Sequence, residues 1–190
     1  MKGLSFSEPM MKAWMEGNKT VTRRLIKVAG VPVTSEASAK YVKPRYRPGE
    51  IVYIKETWRL SGHFDGADCP CYRVDNMCKC GKSALLAVDG PYTKWKSPRF
   101  MPEWASRSHA RIVSVRPERV QEITPEEVKK EGLIIRDFAG VGVLACLGFT
   151  PETYIESVAL MEFEGLWNSL HPGSWDRNDW VWRIELEKLP

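Results

Sequence analysis

Four of the five cysteines in this chain lie within twelve residues, at Cys69, Cys71, Cys78 and Cys80. Thiolates are soft, charged ligands, and structural Zn²⁺ sites usually hold four of them in a tetrahedral arrangement. The cluster therefore predicts a structural zinc site, although its spacing is C-x-C and not the commoner C-x-x-C. Disulfides or redox-active thiols, and unliganded surface cysteines, are the alternatives. Because four thiolates fill the coordination sphere, such a metal would stabilise the segment and would not catalyse a reaction.

The remaining residues of nucleophilic or metal-binding type are scattered. Cys146 stands alone and is interpreted as a small buried apolar residue. The histidines, His63, His109 and His171, are too dispersed in the sequence to indicate a histidine metal site or a Cys/His dyad. The chain contains neither a phosphate-binding G-x-x-x-x-G-K-[ST] motif nor a G-x-G-x-x-G motif after a strand.

Basic and aromatic residues are interleaved between residues 91 and 107, among three prolines. The members of this segment are Tyr92, Lys94, Trp95, Lys96, Arg99, Phe100, Trp104 and Arg107. Aromatic rings stack on bases while cations neutralise phosphates, so this composition predicts an irregular surface segment that contacts RNA, DNA or a modified nucleoside. Four other tryptophans recur at helix or strand spacing and are interpreted as packing residues: Trp14, Trp167, Trp180 and Trp182.

The net charge of +4 hides a strong asymmetry along the chain. Residues 1–60 carry a net charge of +7, residues 91–119 carry +5, and residues 120–190 carry −7. Such a chain can present a positive surface to a polyanion while remaining nearly neutral overall. The alternative is that these lysines and arginines are scattered over a solvated surface.

Signals for helices and strands are mixed along the chain without a βαβ repeat. The sequence predicts helices after Ser7 and Pro9, after the capping box Thr124–Glu127, and after Thr150–Pro151. It predicts strands at residues 20–26, 51–58, 109–120 and 180–187, and a loop at residues 28–48. A chain of 190 residues, 43% hydrophobic and 27% charged, suits one globular domain. We therefore predict a single mixed, β-rich α+β domain with a cysteine-rich insertion at residues 61–90.

The chain contains no apolar run near the roughly 20 residues that a membrane-spanning helix needs. Its first residues include an acid and a proline where a signal peptide would keep an apolar block. We expect a cytoplasmic protein without membrane contact, and a monomer.

Four segments of the sequence resemble the ASCH domain family. Residues 17–24, GNKTVTRR, fit its G-x-K-x-x-x-x-R signature, and residues 48–58, PGEIVYIKETW, are similar to a strand of its phage-encoded branch. Residues 101–107, MPEWASR, and 178–182, NDWVW, resemble that branch too. The resemblance spans nearly the whole chain except the cysteine insertion. It implies a PUA-like β-barrel with flanking helices, and binding of RNA or modified nucleosides beside the signature loop.

Some small relatives in that family are amidohydrolases that remove the acetyl group from N(4)-acetylcytidine with a lysine, a threonine and a glutamate. The resemblance places these roles on Lys19, Thr22 and Glu131, with Arg24 as the signature arginine. Thr22 would act as nucleophile or position water, Glu131 would move protons, and Arg23 or Arg24 would pair with a phosphate or the carbonyl. Lys19 would act as a base only if its pKa lay well below the usual 10.4 or so.

Several alternatives to this chemistry stay open. In one regular strand Lys19 would face away from Thr22 and Arg24, so the trio converges only if a turn or bulge intervenes. Lys19 or Arg24 could instead form a structural ion pair with Glu131 in a non-catalytic RNA- or DNA-binding adaptor. Glu56 could contact a base edge or form a cross-strand ion pair. A further alternative is a phage-encoded protein that binds another protein.

Overall fold

A computed structural model describes residues 1–62, 68–81, 94–133 and 150–190. Cys146, His63 and Tyr92 lie outside these ranges. The described helices are α1 (Glu8–Met15), α2 (Glu36–Tyr41), α3 (Pro125–Lys130) and α4 (Pro151–Leu170). The strands are β1 (Lys2–Ser5), β2 (Val21–Leu25), β3 (Lys27–Val28), β4 (Val31–Pro32), β5 (Ile51–Lys55), β6 (Trp58–Gly62), β7 (Asp68–Tyr72), β8 (His109–Arg119) and β9 (Trp180–Lys188).

Five of these strands form a mixed sheet with the order β1-β5-β8-β9-β2. Strand β1 runs parallel to β5, β5 runs antiparallel to β8, and β2 runs antiparallel to β9. Two small antiparallel sheets are formed by β3 with β4 and by β6 with β7. The predicted mixed, β-rich α+β class is confirmed. Among the described strands, β1 and β2 lie at the two edges of the sheet, so the sheet is not seen to close into the expected barrel.

The chain divides into two compact units. The first unit comprises Met1–Gly17, Gly49–Ile112 and Glu187–Pro190, and the second comprises Asn18–Pro48 and Val113–Leu186. The cysteine segment and the basic, aromatic segment belong to the first unit. Residues 18–24 of the signature and Glu131 belong to the second.

Two helix starts follow the sequence signals. In α3, the hydroxyl of Thr124 accepts the backbone N–H of Glu127 at 3.4 Å, and Pro125 occupies a position where a missing N–H costs nothing. Gly132 then ends the segment with a φ of 86°, a conformation that glycine adopts without steric cost. In α1, Ser7 occupies the N-cap position, but its side chain makes no capping hydrogen bond.

The loop prediction for residues 28–48 is wrong at Val31–Pro32, which form β4, and over Glu36–Tyr41, which form α2. The signal was present in the sequence, because Ser35 accepts the backbone N–H of Ser38 at 3.2 Å as an N-cap residue does. The predicted strand at 51–58 is also interrupted. Strand β5 ends at Lys55 and β6 begins at Trp58, so Glu56 lies between two different sheets.

Strand β9 is covered on both faces, which explains why its sequence alternates imperfectly. Val181 packs into one apolar cluster with Phe163 and Trp167, whereas Trp180 and Trp182 pack against a second cluster around Ile26. A strand buried on one face shows strict alternation of apolar and polar residues, and a strand covered on both faces does not. Among the described residues, no helix is long and apolar enough to cross a membrane.

Candidate functional site

The side chains of Lys19 and Glu131 meet in the second unit. Glu131 caps the C-terminus of α3, and the backbone of Thr20 donates to the carbonyl of Lys130 at 2.8 Å, which brings the signature loop against the end of this helix. The Nζ of Lys19 donates to Oε2 of Glu131 at 2.8 Å, to the Glu131 carbonyl at 2.8 Å and to the Val21 carbonyl at 2.9 Å. Both side chains are buried, so the ammonium group is satisfied entirely by protein acceptors.

Burial lowers the pKa of Lys19 below its ordinary value. The adjacent carboxylate of Glu131 opposes this shift, and the positive charges of Arg24 and Arg23 add to it. The direction is the one that a lysine acting as a base requires. The observed contacts between Lys19 and Glu131 equally fit the structural ion pair that the sequence left open as an alternative.

Arg23 joins three carboxylates in the second unit. Its guanidinium donates to Glu118 at 2.7 Å, to Oε1 of Glu131 at 3.1 Å, and to Glu127. Arg183 binds the other oxygen of Glu127 at 2.7 Å. We call this set, with Lys19, the buried charge network. Because Arg23 is fully engaged and buried, its contacts orient Glu131 rather than reach towards a substrate.

Thr22 is not hydrogen-bonded to Lys19 or Glu131. Its hydroxyl is buried and has no hydrogen-bond partner among the described residues. Successive side chains in a strand point to opposite faces, so Thr22 lies on the face of β2 opposite to Arg23, which contacts Glu131. The structure thus brings together two members of the predicted trio and leaves the third as a buried hydroxyl one residue away from Arg23.

Arg24 lies on the same face of β2 as Thr22. Its guanidinium donates to the carbonyl of Arg23 at 3.0 Å. Burial lowers the pKa of Arg24, and the negative charge of Glu131 and the nearby Tyr46 oppose that shift. Arg24 stays a cation at neutral pH because an arginine side chain is not deprotonated in proteins.

Glu56 and Arg107 form a locked ion pair in the first unit. The two carboxylate oxygens of Glu56 each accept a hydrogen bond from Arg107 at 2.9 Å, and Asp75 accepts a third at 2.6 Å. The guanidinium of Arg107 also stacks on the ring of Tyr72 at 3.9 Å. Of the two roles considered for Glu56, the structure has the ion pair, and Arg107 is committed to the same pair.

The other basic and aromatic residues of residues 94–107 are more open. Phe100 is 70% exposed and Trp104 is 58% exposed, and Lys94, Lys96 and Arg99 are exposed as well. Two short 3-10 helices, Pro98–Phe100 and Glu103–Ala105, hold this irregular segment. Trp95 is half-buried beneath the guanidinium of Arg59, 4.6 Å from its ring centre. We call the exposed members, Lys94, Lys96, Arg99, Phe100 and Trp104, the basic-aromatic surface.

Trp58 supports this surface from beneath. Its ring packs edge-to-face against Trp104 with centroids 6.0 Å apart, and the ammonium group of Lys96 lies 5.1 Å from its centre. The ammonium group of Lys79 donates to the carbonyls of Trp104 and Ser106 at 2.6 and 2.8 Å. These contacts fix the backbone that carries Trp104 and leave more than half of its side chain uncovered.

The cysteine segment folds as a tight ribbon in which Cys71 and Cys78 form a disulfide. Cys69 and Cys80 are not part of this disulfide, and Cys69 is buried whereas Cys80 is exposed. Burial raises the pKa of the Cys69 thiol, which interacts directly with Cys80. With two sulfurs in the disulfide, no group of three or more potential ligands is arranged to hold a metal ion in the described parts of the chain. The structure therefore contains a disulfide, one of the alternatives to zinc, between Cys71 and Cys78. The zinc site stays a prediction.

Three members of the buried charge network, Glu118, Glu127 and Arg183, were not expected from the sequence to form ion pairs. One signal was available: consecutive arginines at residues 23 and 24 and four glutamates between residues 118 and 127 need partners if they are buried.

Comparisons with protein-family models, with curated proteins and with solved structures find no match to this chain.

Proposed function

We propose that this protein binds single-stranded RNA or DNA, or a modified nucleoside within it, through the basic-aromatic surface of the first unit. The observation that carries the proposal is the exposure of Phe100 and Trp104 beside three exposed cations. Large exposed apolar groups often mark interaction sites on a soluble surface. Here the flanking charges are positive, so the partner is expected to combine planar apolar groups with anions.

A single strand of nucleic acid has both features. Each stacked base contributes about 1–3 kcal/mol on an aromatic platform, and phosphates pair with flanking lysines and arginines. In a duplex, the bases are already stacked and their faces are not available to side chains. The proposal therefore favours single strands and predicts little sequence preference, because every base has an aromatic face.

Titration of a fluorescent single-stranded oligonucleotide tests the proposal. We expect Trp104→Ala to weaken binding by about 1–3 kcal/mol, and Phe100→Ala to act similarly. Tyr41→Ala is the matched control, because Tyr41 is 88% exposed and lies in the second unit. Equal affinities of Trp104→Ala and the wild type, or an affinity that does not change with salt, would contradict the proposal.

The finer fold assignment is part of the same proposal. Membership of the ASCH family, with its PUA-like barrel, rests on the resemblance of the signature at residues 17–24 and the three further segments. The placement of Lys19 against the end of α3 is compatible with a signature loop that borders a site. An experimental structure tests the assignment: a β1 strand and a β2 strand that remain separate edges would exclude a barrel.

Hydrolysis of an N-acylated nucleoside amide, such as N(4)-acetylcytidine, is a second candidate function. It is favoured by the lowered pKa of Lys19 and by the unpartnered hydroxyl of Thr22 in the same unit. A neutral Lys19 would accept the proton of an attacking water, and Glu131 would pass a proton to the leaving amine. Arg24, whose positive charge acts on Lys19, would stabilise the developing oxyanion.

Absorbance assays with N(4)-acetylcytidine and other acylated nucleosides test this second candidate. We expect Thr22→Val to abolish turnover without weakening the fold, because the lost hydroxyl has no partner among the described residues. Lys19→Ala should also abolish turnover, and Lys27→Ala, which removes an exposed lysine, should not. Wild-type turnover should rise with pH through a pKa below the ordinary lysine value of about 10.4. If the wild-type protein turns over none of the tested nucleosides, the hydrolase candidate is excluded and only the binding function remains.

A further inference from the structure

The cysteine ribbon, residues 69–80, places four sulfurs on one face of a two-stranded turn. Cys71 lies opposite Cys78, and the flanking backbone pairs through Lys79 N–H to the Pro70 carbonyl at 2.8 Å and Tyr72 N–H to the Met77 carbonyl at 2.9 Å. Side chains two residues apart on a strand share a face. The same register therefore sets Cys69 opposite Cys80 on the face of the disulfide, and these two side chains do interact.

Three of the four cysteines are buried together, and the fourth lies at the surface. Cys69, Cys71 and Cys78 pack together as one buried cluster, and β7, which carries Cys69 and Cys71, pairs with β6 from Trp58↔Tyr72 to Gly62↔Asp68. Cys80 is exposed, so the cluster has an edge that solvent ions can reach. The fifth cysteine of the chain, Cys146, is distant in sequence and lies outside the described residues.

We propose that the reduced cysteine ribbon binds one Zn²⁺ through Cys69, Cys71, Cys78 and Cys80, and that formation of the Cys71–Cys78 disulfide releases the metal. Four thiolates from two short C-x-C arms supply the soft, tetrahedral set that zinc prefers. The disulfide consumes two of the four ligands, so the metal-bound state and the disulfide state exclude each other. The state that carries the disulfide is the one in the structure.

The exchange between the two states needs an external oxidant, for which a low-molecular-weight disulfide suffices. The thiolate of Cys78 attacks one sulfur of the small disulfide, a mixed disulfide forms, and one small thiolate leaves. The thiolate of Cys71 then attacks the Cys78 sulfur, the Cys71–Cys78 bond forms, and the second small thiolate leaves. The two protein thiolates lose two electrons in total and the small disulfide gains two. Zinc keeps its charge and departs because Cys69 and Cys80 alone bind it weakly.

Metal analysis of the full-length chain tests the proposal. Protein reduced and equilibrated with zinc, then desalted, should contain one zinc per chain. Oxidised glutathione should release that zinc to a colorimetric chelator while two thiols disappear, and peptide mapping should find the Cys71–Cys78 linkage. Cys71→Ser and Cys80→Ser should each weaken zinc binding at least about tenfold, the loss that even a supporting residue of a metal site causes. Cys146→Ser, the same chemical change outside the ribbon, should keep full occupancy.

Two results would overturn the proposal. A reduced wild-type chain that remains metal-free in the presence of zinc, with circular dichroism indicating a folded protein, excludes the site. Zinc that stays bound after the Cys71–Cys78 disulfide has formed excludes the exchange. If Cys71→Ser does not fold, Cys80→Ser decides, because Cys80 is exposed and its loss removes no core packing.

Discussion

Arg23 of the second unit and Arg99 of the first unit have opposite surroundings. The side chain of Arg23 is 0% exposed and contacts three carboxylates. Arg99 is exposed and forms no ion pair with another described residue. A buried cation must be paired, because removing it from water without a partner costs several kcal/mol. An exposed cation has no such requirement and remains available to an external anion. The comparison separates charges that hold this protein together from charges that can bind a partner.

The largest expected effect is the loss of a buried cation. Arg23→Met should lower the free energy of unfolding by about 3–5 kcal/mol, because Glu118, Glu127 and Glu131 are then left close together without their shared partner. Urea denaturation measures the change. Arg116→Met is the matched control: Arg116 contacts Glu118 and Glu127 too, but its side chain is 60% exposed, so its loss should cost about 1 kcal/mol or less. Similar costs for the two variants would break the comparison.

Arg107 and Arg73 of the first unit also differ in burial, and we expect a smaller difference in stability between their variants. Arg107→Met should lower stability by about 1.5–3 kcal/mol, because it removes charged hydrogen bonds to the buried Glu56. Arg73→Met should cost about 1 kcal/mol or less, since the ion pair of Arg73 with Glu8 is exposed. The dependence of oligonucleotide affinity on salt should be unchanged in Arg107→Met, because this guanidinium is committed to Glu56 and Asp75. A weaker dependence would place Arg107 in the binding surface after all.

The buried charge network also predicts pH effects of opposite sign. Burial alone would raise the pKa of Glu127, but Arg23 and Arg183 outweigh burial and lower it, whereas burial raises the pKa of Glu118 against Arg23. The lowered pKa stabilises the folded state above the ordinary glutamate value of about 4.3, and this contribution is lost as pH falls through the folded-state pKa. The raised pKa of Glu118 gives a contribution that is lost as pH rises through its folded-state pKa.

Unfolding free energies measured between pH 3 and pH 7 test these signs. Relative to the wild type, Glu127→Gln should lose less stability on acidification. Glu118→Gln should lose less as pH rises from the ordinary glutamate range. Parallel curves for the two variants would mean that the two carboxylates titrate alike and that Arg23 does not distinguish them.

Local signals in the sequence predicted local structure well. Thr124 and Pro125 marked the start of α3, and Pro151 marked that of α4, because capping and the missing proline N–H act within one helical turn. The pairing of Lys19 with Glu131 followed from the family resemblance only. Nothing local specifies that Arg23 would be buried or that Glu127 would use its side chain for arginines instead of capping, because those contacts join residues about 100 positions apart. Long-range charge pairing is set by packing, which spacing alone does not encode.

The smallest expected change in stability lies on the basic-aromatic surface. Lys94→Gln with Arg99→Gln should change the free energy of unfolding by no more than about 0.5 kcal/mol, because neither cation has a carboxylate partner among the described residues. The same double variant should nevertheless reduce the slope of log affinity against log salt by about 1.4, since each phosphate contact on a single strand contributes about 0.7. Arg116→Met, a charge loss in the second unit, should leave that slope unchanged. If the double variant lost stability and kept the slope, these exposed cations would be structural, and the distinction between the two arginine environments would not extend to function.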